Sequence, residues 1–388
     1  MKFADFTNKI EGQQMFQILS KAKDLEKKGR DIIHLEIGDP DFKSPLIAAN
    51  SIKKAIDNNN THYVQSSGLP EFKEAAKELT YKSRGFLPED DQILVTCGAN
   101  IQIYLAISCL VNPGDEVIIP DPSFVSYISI IKANRAIPRK VKLNKDDNFS
   151  LSINKIKASI NERTRAIIVN SPHNPTGSVL KPETLRSIYD LCKENDIALI
   201  SDEVYGRLVY KNSKEPFFSP TSIDNCKHTT LLIHSLSKTY SMTGWRIGAV
   251  TGPKELIKRM SLLFETMTSC VPPFIQIAAI DTMKNSQPYT FSMLDKYTKR
   301  RDILVKGLNK IKGISCQYPD GTFYAFADIS SIKKSSEEFS NILLNEIGVA
   351  TCPGIFFGEG GEGFVRFCFA NSEQNIERAM ERMEKLFC

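Results

Sequence analysis

Ile197-Ala198-Leu199-Ile200, running directly into Ser201-Asp202-Glu203-Val204-Tyr205, is the stretch on which the fold turns. Its first four residues are apolar without alternation, as in a strand covered on both faces. An acid at the end of such a strand is costly to bury unless it meets a cation, a helix end or a ligand. The same pattern recurs on either side. Gln92–Thr96 reads as a strand and Asn100–Leu110 as a helix, Glu116–Ile119 and Ala166–Val169 as strands, Pro182–Glu194 as a polar helix, and Leu231–Ile233 as a further strand. Short apolar strands separated by helices predict an α/β fold with a mostly parallel, helix-sandwiched sheet. In such sheets ligands sit beyond the carboxyl ends of the strands.

The last third has a different texture. A long charged helix is expected over Met293–Lys312, strands at Phe323–Asp328 and Phe364–Phe369, and an amphipathic helix over Ser372–Phe387. Ile376, Ala379, Met380, Met383 and Phe387 fall on one face of that last helix, which marks them as core. A smaller α+β domain is therefore expected. A chain of 388 residues is long enough for two domains. We divide it into residues 1–45 as an N-terminal arm with part of the small domain, 46–290 as the large domain, and 291–388 as the small one.

Composition narrows the function. With 41% hydrophobic and 24% charged residues the chain has an ordinary globular balance. Its net charge of +5 comes without a basic tract and gives no support to nucleic-acid binding. No apolar run approaches the roughly 18 residues needed to cross a bilayer, and Met1–Phe6 lacks an apolar signal core. The nine cysteines are scattered with no Cys-x-x-Cys pair, so no metal site or disulfide framework is expected. They read as small buried hydrophobes in a reducing cytoplasm.

The chemistry concentrates where strands should end. Ser235-Leu236-Ser237-Lys238 sets a lysine beside two hydroxyls, and Arg246 follows eight residues later between Gly244 and Gly248. Hydroxyls and a guanidinium together suit a phosphate, although a solvated lysine in a serine-rich loop is the plainer alternative. Asn170–Gly177, with two prolines, two asparagines and a glycine, is a rigid turn that could also present an amide to a ligand. Thr96-Cys97-Gly98-Ala99-Asn100 passes from strand to helix through a glycine, where free N–H groups can bind phosphate. Arg366 alternates with aromatic residues on an apolar strand, so its charge needs an anion, either an internal acid or a substrate carboxylate. Gly358–Gly363 matches the G-x-G-x-x-G spacing, but a strand follows it and it carries two acids. It is expected to be a flexible loop and not a dinucleotide site.

Taken in order, these clusters resemble the fold-type I pyridoxal 5′-phosphate (PLP) dependent aminotransferases, the class I/II or aspartate aminotransferase-like family. The resemblance runs through Gly38-Asp39-Pro40-Asp41-Phe42, Tyr63 with Gly68, Gly98, Pro122 with Phe124, Asn174-Pro175-Thr176-Gly177, Asp202 with Tyr205, Ser235-Leu236-Ser237-Lys238, Arg246 and Arg366. It implies that Lys238 forms the internal imine and shuttles a proton, while Asp202 keeps the pyridine nitrogen protonated. Tyr205 and Asn174 would bond the ring's 3′ oxygen. Ser235, Ser237, Arg246 and the Gly98-Ala99-Asn100 turn would hold the phosphate, and Phe124 would stack on the ring. Arg366, Asn174 and the Gly38 backbone would bind the substrate α-carboxylate.

Tyr63 would reach the phosphate of a neighbouring subunit, which implies a homodimer with shared sites. Ping-pong transfer of an amino group from an L-amino acid to a 2-oxo acid follows as the expected reaction. A PLP lyase or synthase, such as a carbon–sulfur β-lyase, would use the same cofactor residues. A regulator with an aminotransferase-like domain would need an added DNA-binding domain, for which there is no room before Gly38. Asn100 stands where aspartate-using bacterial relatives carry a lysine, so the donor stays open.

Overall fold

The structure is a computed structural model that describes residues 1–387. The chain's first strand, β1 (Ile33–His34), pairs far ahead in the sequence, and the main sheet begins with the next. That sheet comprises β2 (Ile93–Thr96), β3 (Glu116–Asp121), β4 (Ile137–Lys142), β5 (Thr164–Asn170), β6 (Ala198–Asp202), β7 (Thr230–Ser235) and β8 (Gly248–Thr251). They are hydrogen-bonded in the order β2-β8-β7-β6-β5-β3-β4. β3 to β7 run parallel, whereas β8 is antiparallel to both of its neighbours, β2 and β7. β2, β3 and β7 are buried along their whole length and β5 and β6 at all but one residue, as an uninterrupted apolar run requires when helices cover both faces.

Two strands of this sheet escaped the sequence reading, for different reasons. β4, Ile-Pro-Arg-Lys-Val-Lys, is an edge strand with its charged side chains in solvent. A proline and exposed cations are usual at such an edge, but they hide the strand pattern. β8 is only Gly-Ala-Val-Thr, too short for any periodicity to show. Its reversal has a functional consequence. Gly248 is in register with both Thr96 and Ser235, so the residues just before β8 meet the ends of β2 and β7. Arg246 thereby joins the same edge as Asn170, Asp202 and Ser235.

The smaller sheet is antiparallel, with β9 (Tyr324–Asp328), β11 (Cys352–Pro353) and β12 (Phe364–Cys368) in the order β11-β12-β9. β10 (Val349–Ala350) pairs with β1 in parallel, which ties the N-terminal segment to this part of the fold. Helices Gln287–Lys310, Ser336–Ile347 and Glu373–Phe387 pack around it. The first of these begins six residues before the expected Met293, with Pro288 in its opening turn, where no N–H partner is needed. On the last helix Ile376, Ala379, Met380 and Met383 are buried, and Phe387 stacks on Phe339 at 5.4 Å.

The Gly358–Gly363 segment differs from the flexible loop expected. Two 3₁₀ turns, Gly354–Phe357 and Glu359–Gly361, fold it against the end of β3. A Cβ on Gly358 would overlap Asp121 Oδ1, and one on Gly360 would press on the Asp121 carbonyl. These glycines serve close backbone packing. The described cysteines are free, and all but Cys97 and Cys109 are buried. Among the described residues, no helix is long and apolar enough to cross a membrane, and no group of side chains could hold a metal ion.

Beneath the edge that gathers Asp202 lies an ion pair. Arg84, the last residue of helix Pro70–Arg84, donates from Nε to Glu203 Oε2 at 2.6 Å, and each side chain is 1% exposed. Ser201 and Ser219 donate to the other carboxylate oxygen at 2.8 and 2.6 Å. Removing one partner strands a buried charge. Arg84→Met should therefore lower unfolding free energy by about 3–5 kcal/mol, measured by urea denaturation. Arg84→Met with Glu203→Gln should recover much of that loss.

Candidate active site

Beyond the carboxyl ends of the main strands lies a cavity of about 360 Å³. Gly38, Ala99, Asn100, Phe124, Asn174 and Asp202 line it, together with Tyr205, Ser235, Ser237, Lys238, Arg246 and Arg366. Two of the residues singled out from sequence do not. Gly98 sits behind Arg246, and a Cβ there would lie 2.8 Å from Arg246 Nη2. Tyr63 is 87% exposed and does not line the chain's own cavity.

Asp202 ends β6. Its Oδ2 accepts from the Tyr127 hydroxyl at 2.5 Å and its Oδ1 from the Val204 N–H at 3.2 Å. It forms no ion pair among the described residues, and burial pushes its carboxyl up to about 6. Asn170, at the end of β5, fastens the neighbouring pieces together. Its amide donates to the Asp202 carbonyl at 2.9 Å, and its Oδ1 accepts from the Asn174 N–H at 2.8 Å. One buried side chain thus locks two strand ends and the rigid turn in register.

Lys238 lies on the short helix Leu236–Thr239, capped by Ser235, whose Oγ accepts from the Ser237 N–H at 3.2 Å and donates to Ser237 Oγ at 2.9 Å. The Lys238 amine reaches the Gly38 carbonyl at 2.5 Å. Burial lowers its pKa to about 8; Asp39 opposes this shift, and the positive charges of Arg366 and Arg246 add to it. Arg246 adopts the left-handed backbone region at φ 53°, and its guanidinium donates to the carbonyls of Thr243 at 2.8 Å and Cys97 at 3.3 Å. Facing it, helix Ala99–Leu110 starts at Gly98 with no side chain capping its first N–H groups.

Arg366, in the middle of β12, is wholly buried. It donates to Asn174 Oδ1 at 3.1 Å and to the Glu36 carbonyl, and it lies over the rings of Tyr324 and Phe357 at 4.3 and 4.8 Å. It has no carboxylate partner among the described residues, and its Nε is unbonded. The internal ion pair considered for it is therefore not formed. Tyr205 shares a 2.9 Å hydrogen bond with Tyr324, whose ring also forbids any side chain at position 38.

Sequence reading missed Tyr127, Tyr324 and Asn170. Tyr127 lies on an unread helix, Ser126–Ala133. Tyr324 stood in a stretch read correctly as a strand, and Asn170, read as the start of the turn, instead ends β5; nothing in the sequence aimed either side chain. Gln13, Met15, Phe16 and Ile37 also line the cavity, and no motif marks them.

Residues 30–383 match the family model for aminotransferase class I and II. The chain belongs to this family. It is 37% identical to the aspartate aminotransferase of Pyrococcus horikoshii over 97% of its own length and 95% of that protein's. Its fold is similar to Thermus thermophilus aspartate aminotransferase with maleate, at a TM-score of 0.95 and 31% identity over the full length of both chains. It is also similar to the aromatic aminotransferase from Pyrococcus horikoshii, at a TM-score of 0.89 and 37% identity over 94% of this chain and 98% of that one.

The chain is an aminotransferase, a member of a family that uses PLP. Its residues fit that group. An acid with no cation among the described residues would suit a protonated ring nitrogen. A lysine amine and unspent helix N–H groups face the same cavity, and an arginine with an unbonded nitrogen stands ready for an anion.

The buried acid gives a pH test on the cofactor-free protein. The unfolded Asp202 carboxyl ionises near 3.8 and the folded one near 6, so deprotonation penalises the folded state. Wild type should lose stability relative to Asp202→Asn as pH rises through that window, by up to about 3 kcal/mol between about pH 4 and pH 8. Urea unfolding at several pH values measures this gap. A gap independent of pH would mean that Asp202 already has a cation.

Proposed function

We propose that this cavity is the transamination centre, with PLP as its cofactor and Lys238 as the residue that moves the proton. The observation that carries the reading is Arg366: a buried guanidinium, without an acid, opening on the same cavity as a lysine amine of lowered pKa. A buried cation kept without an internal anion is costly, and a substrate α-carboxylate would relieve that cost.

Bound here, PLP would supply an aldehyde to carry the amino group and a protonated ring to draw electrons from the substrate's Cα. Asp202 would hold the proton on the ring nitrogen, with Tyr127 and the Val204 N–H keeping its carboxylate aimed. Tyr205 and Asn174 would donate to the ring oxygen, and Phe124 would cover a ring face. Ser235, Ser237, Arg246 and the N–H groups of Ala99 and Asn100 would bind the phosphate, with Gly98 leaving room for the arginine.

Arg366 and Asn174, beside the Gly38 backbone, would clamp the α-carboxylate. A clamped carboxylate keeps the Cα–H bond as the one that breaks, an effect of orientation. With a pKa of about 8, Lys238 has an appreciable neutral fraction near neutral pH and can take that proton and return it.

We further propose a homodimer. Tyr63 and, on the preceding helix, Leu46 and Ile56 are exposed, and a second copy of the chain would cover them and bring its neighbour's phosphate to Tyr63. Protein loaded with PLP should absorb visible light, and Lys238→Ala should lose that band and nearly all turnover. Normal transamination by this variant would refute the role given to Lys238. In a dimer, Tyr63→Phe should retain PLP about tenfold less tightly, the worth of a hydrogen bond to a charged group. Equilibrium dialysis reads that change, and sedimentation reads the assembly.

A further inference from the structure

A second group of buried cations surrounds the Arg84–Glu203 ion pair, and none of its members lines the cavity. The register of β6 and β7, continued by one residue, sets Glu203 beside His234, and the Glu203 N–H bonds the Ile233 carbonyl at 3.1 Å. Both side chains therefore leave the same face of the sheet. Leu232, on that face two residues before His234, packs with Phe86, two residues after Arg84. Arg84 thus meets Glu203 on the face that carries His234.

The turn after Glu203 brings a second guanidinium. The Gly206 N–H bonds the Glu203 carbonyl at 2.8 Å and the Leu208 N–H bonds the Tyr205 carbonyl at 2.7 Å, so the chain curls on itself around Arg207. Phe217 closes the group from outside. The Arg84 guanidinium lies 5.8 Å from its ring centroid, and a Cβ on Gly206 would lie 2.8 Å from the same ring.

Donors outnumber acceptors here. Arg84 spends Nε on Glu203 and Nη1 on Ser83, and its Nη2 is buried without a hydrogen-bond partner. His234 Nε2 is buried in the same condition. Arg207 donates to Gln287 Oε1 and pairs with no carboxylate among the described residues; burial lowers its pKa and the Arg84 charge adds to this. Glu203 already accepts from Arg84, Ser201 and Ser219. Two guanidiniums against one carboxylate leave a single positive charge in excess. Burial holds the His234 imidazole well below its usual pKa, and both arginines push it the same way. The ring is neutral, with one N–H to give.

Buried donors without partners, in surroundings of net positive charge, call for a charged acceptor. Both orphaned nitrogens are buried within one chain, so a partner copy cannot supply it. We propose that Arg84 Nη2, His234 and Arg207 bind one small monovalent anion, chloride, as a structural ion between Phe217 and the sheet. The single excess charge sets its valence. Donors drawn from two guanidiniums and a ring suit a spherical ion without fixed bonding directions. A phosphate or dicarboxylate would bring more charge than the group balances.

PLP-loaded protein is dialysed into gluconate, an anion too large for an enclosed site, and thermal unfolding is followed as chloride replaces gluconate at constant ionic strength. The midpoint should rise by about 2 °C per tenfold increase in chloride above its dissociation constant, and bromide should act alike. Arg207→Gln should abolish that slope. Crystals of the unaltered protein grown in bromide should show an anomalous peak within hydrogen-bond reach of Arg84 Nη2 and His234 Nε2. Equal midpoints in chloride and gluconate overturn the proposal, as does a slope undiminished in Arg207→Gln, which would belong to the cations of the cavity. A water at that position, without anomalous signal, overturns it equally.

Discussion

Asp202 is a carboxyl group held at the end of a buried strand with two hydrogen-bond donors and no cation. A fold tolerates such a group only if the rest of the structure holds it in place, and much of this one does. β6 ends at Asp202 beside β5, and Asn170 ties the two ends to the Asn174 turn. Tyr127, from helix Ser126–Ala133, donates to Asp202 Oδ2. Directly below, the next residue, Glu203, is neutralised by Arg84. Of two adjacent acids at one strand end, one is given an internal cation and the other, among the described residues, is left without one. That asymmetry is what a site for a cationic ligand group requires, at the cost of a raised carboxyl pKa in the cofactor-free chain.

The second organising element is the reversal of β8. In a wholly parallel sheet the turn leading into that strand would open at the opposite edge. Because β8 runs against β2 and β7, the chain leaves Lys238, crosses Arg246 and enters the sheet without moving away from the strand ends. Lysine and arginine thus come from one short connection, and Gly98 lets the arginine approach the start of helix Ala99–Leu110. The small sheet adds what the large one cannot. Arg366 on β12 and Tyr324 on β9 reach over to Asn174 and Tyr205, so the cavity is complete only when the two sheets are docked.

How much of this was legible in the sequence follows from the same physics. Strands buried on both faces are apolar throughout, and β2, β3, β5, β6 and β7 could be read directly. The edge strand β4 and the four-residue β8 carried no such signal. Helices such as Leu46–Asp57 and Pro70–Arg84 were left unread because the inference leaned on alternation with strands, which the first ninety residues do not show. Within the site, residues set by local chain geometry were legible: a lysine three residues after a capping serine, or an acid ending a strand. Tyr127, Tyr324 and Asn170 act across long sequence separations, and their partners are fixed by packing alone. Gly358–Gly363 was rightly set aside as a dinucleotide motif, but its glycines answer to Asp121, which the local sequence could not disclose.

The N-terminal segment shows why such long-range contacts matter for chemistry. Residues 33–38 pair with β10, pass under Arg366 and present the Gly38 carbonyl to Lys238. A glycine is required at that point because the Tyr324 ring occupies the space a side chain would need, and the same tyrosine bonds Tyr205. A displacement of this strand would therefore be felt at once by Arg366, Lys238 and the tyrosine pair. The groups that would orient a substrate and the group that would deprotonate it are coupled through one backbone segment.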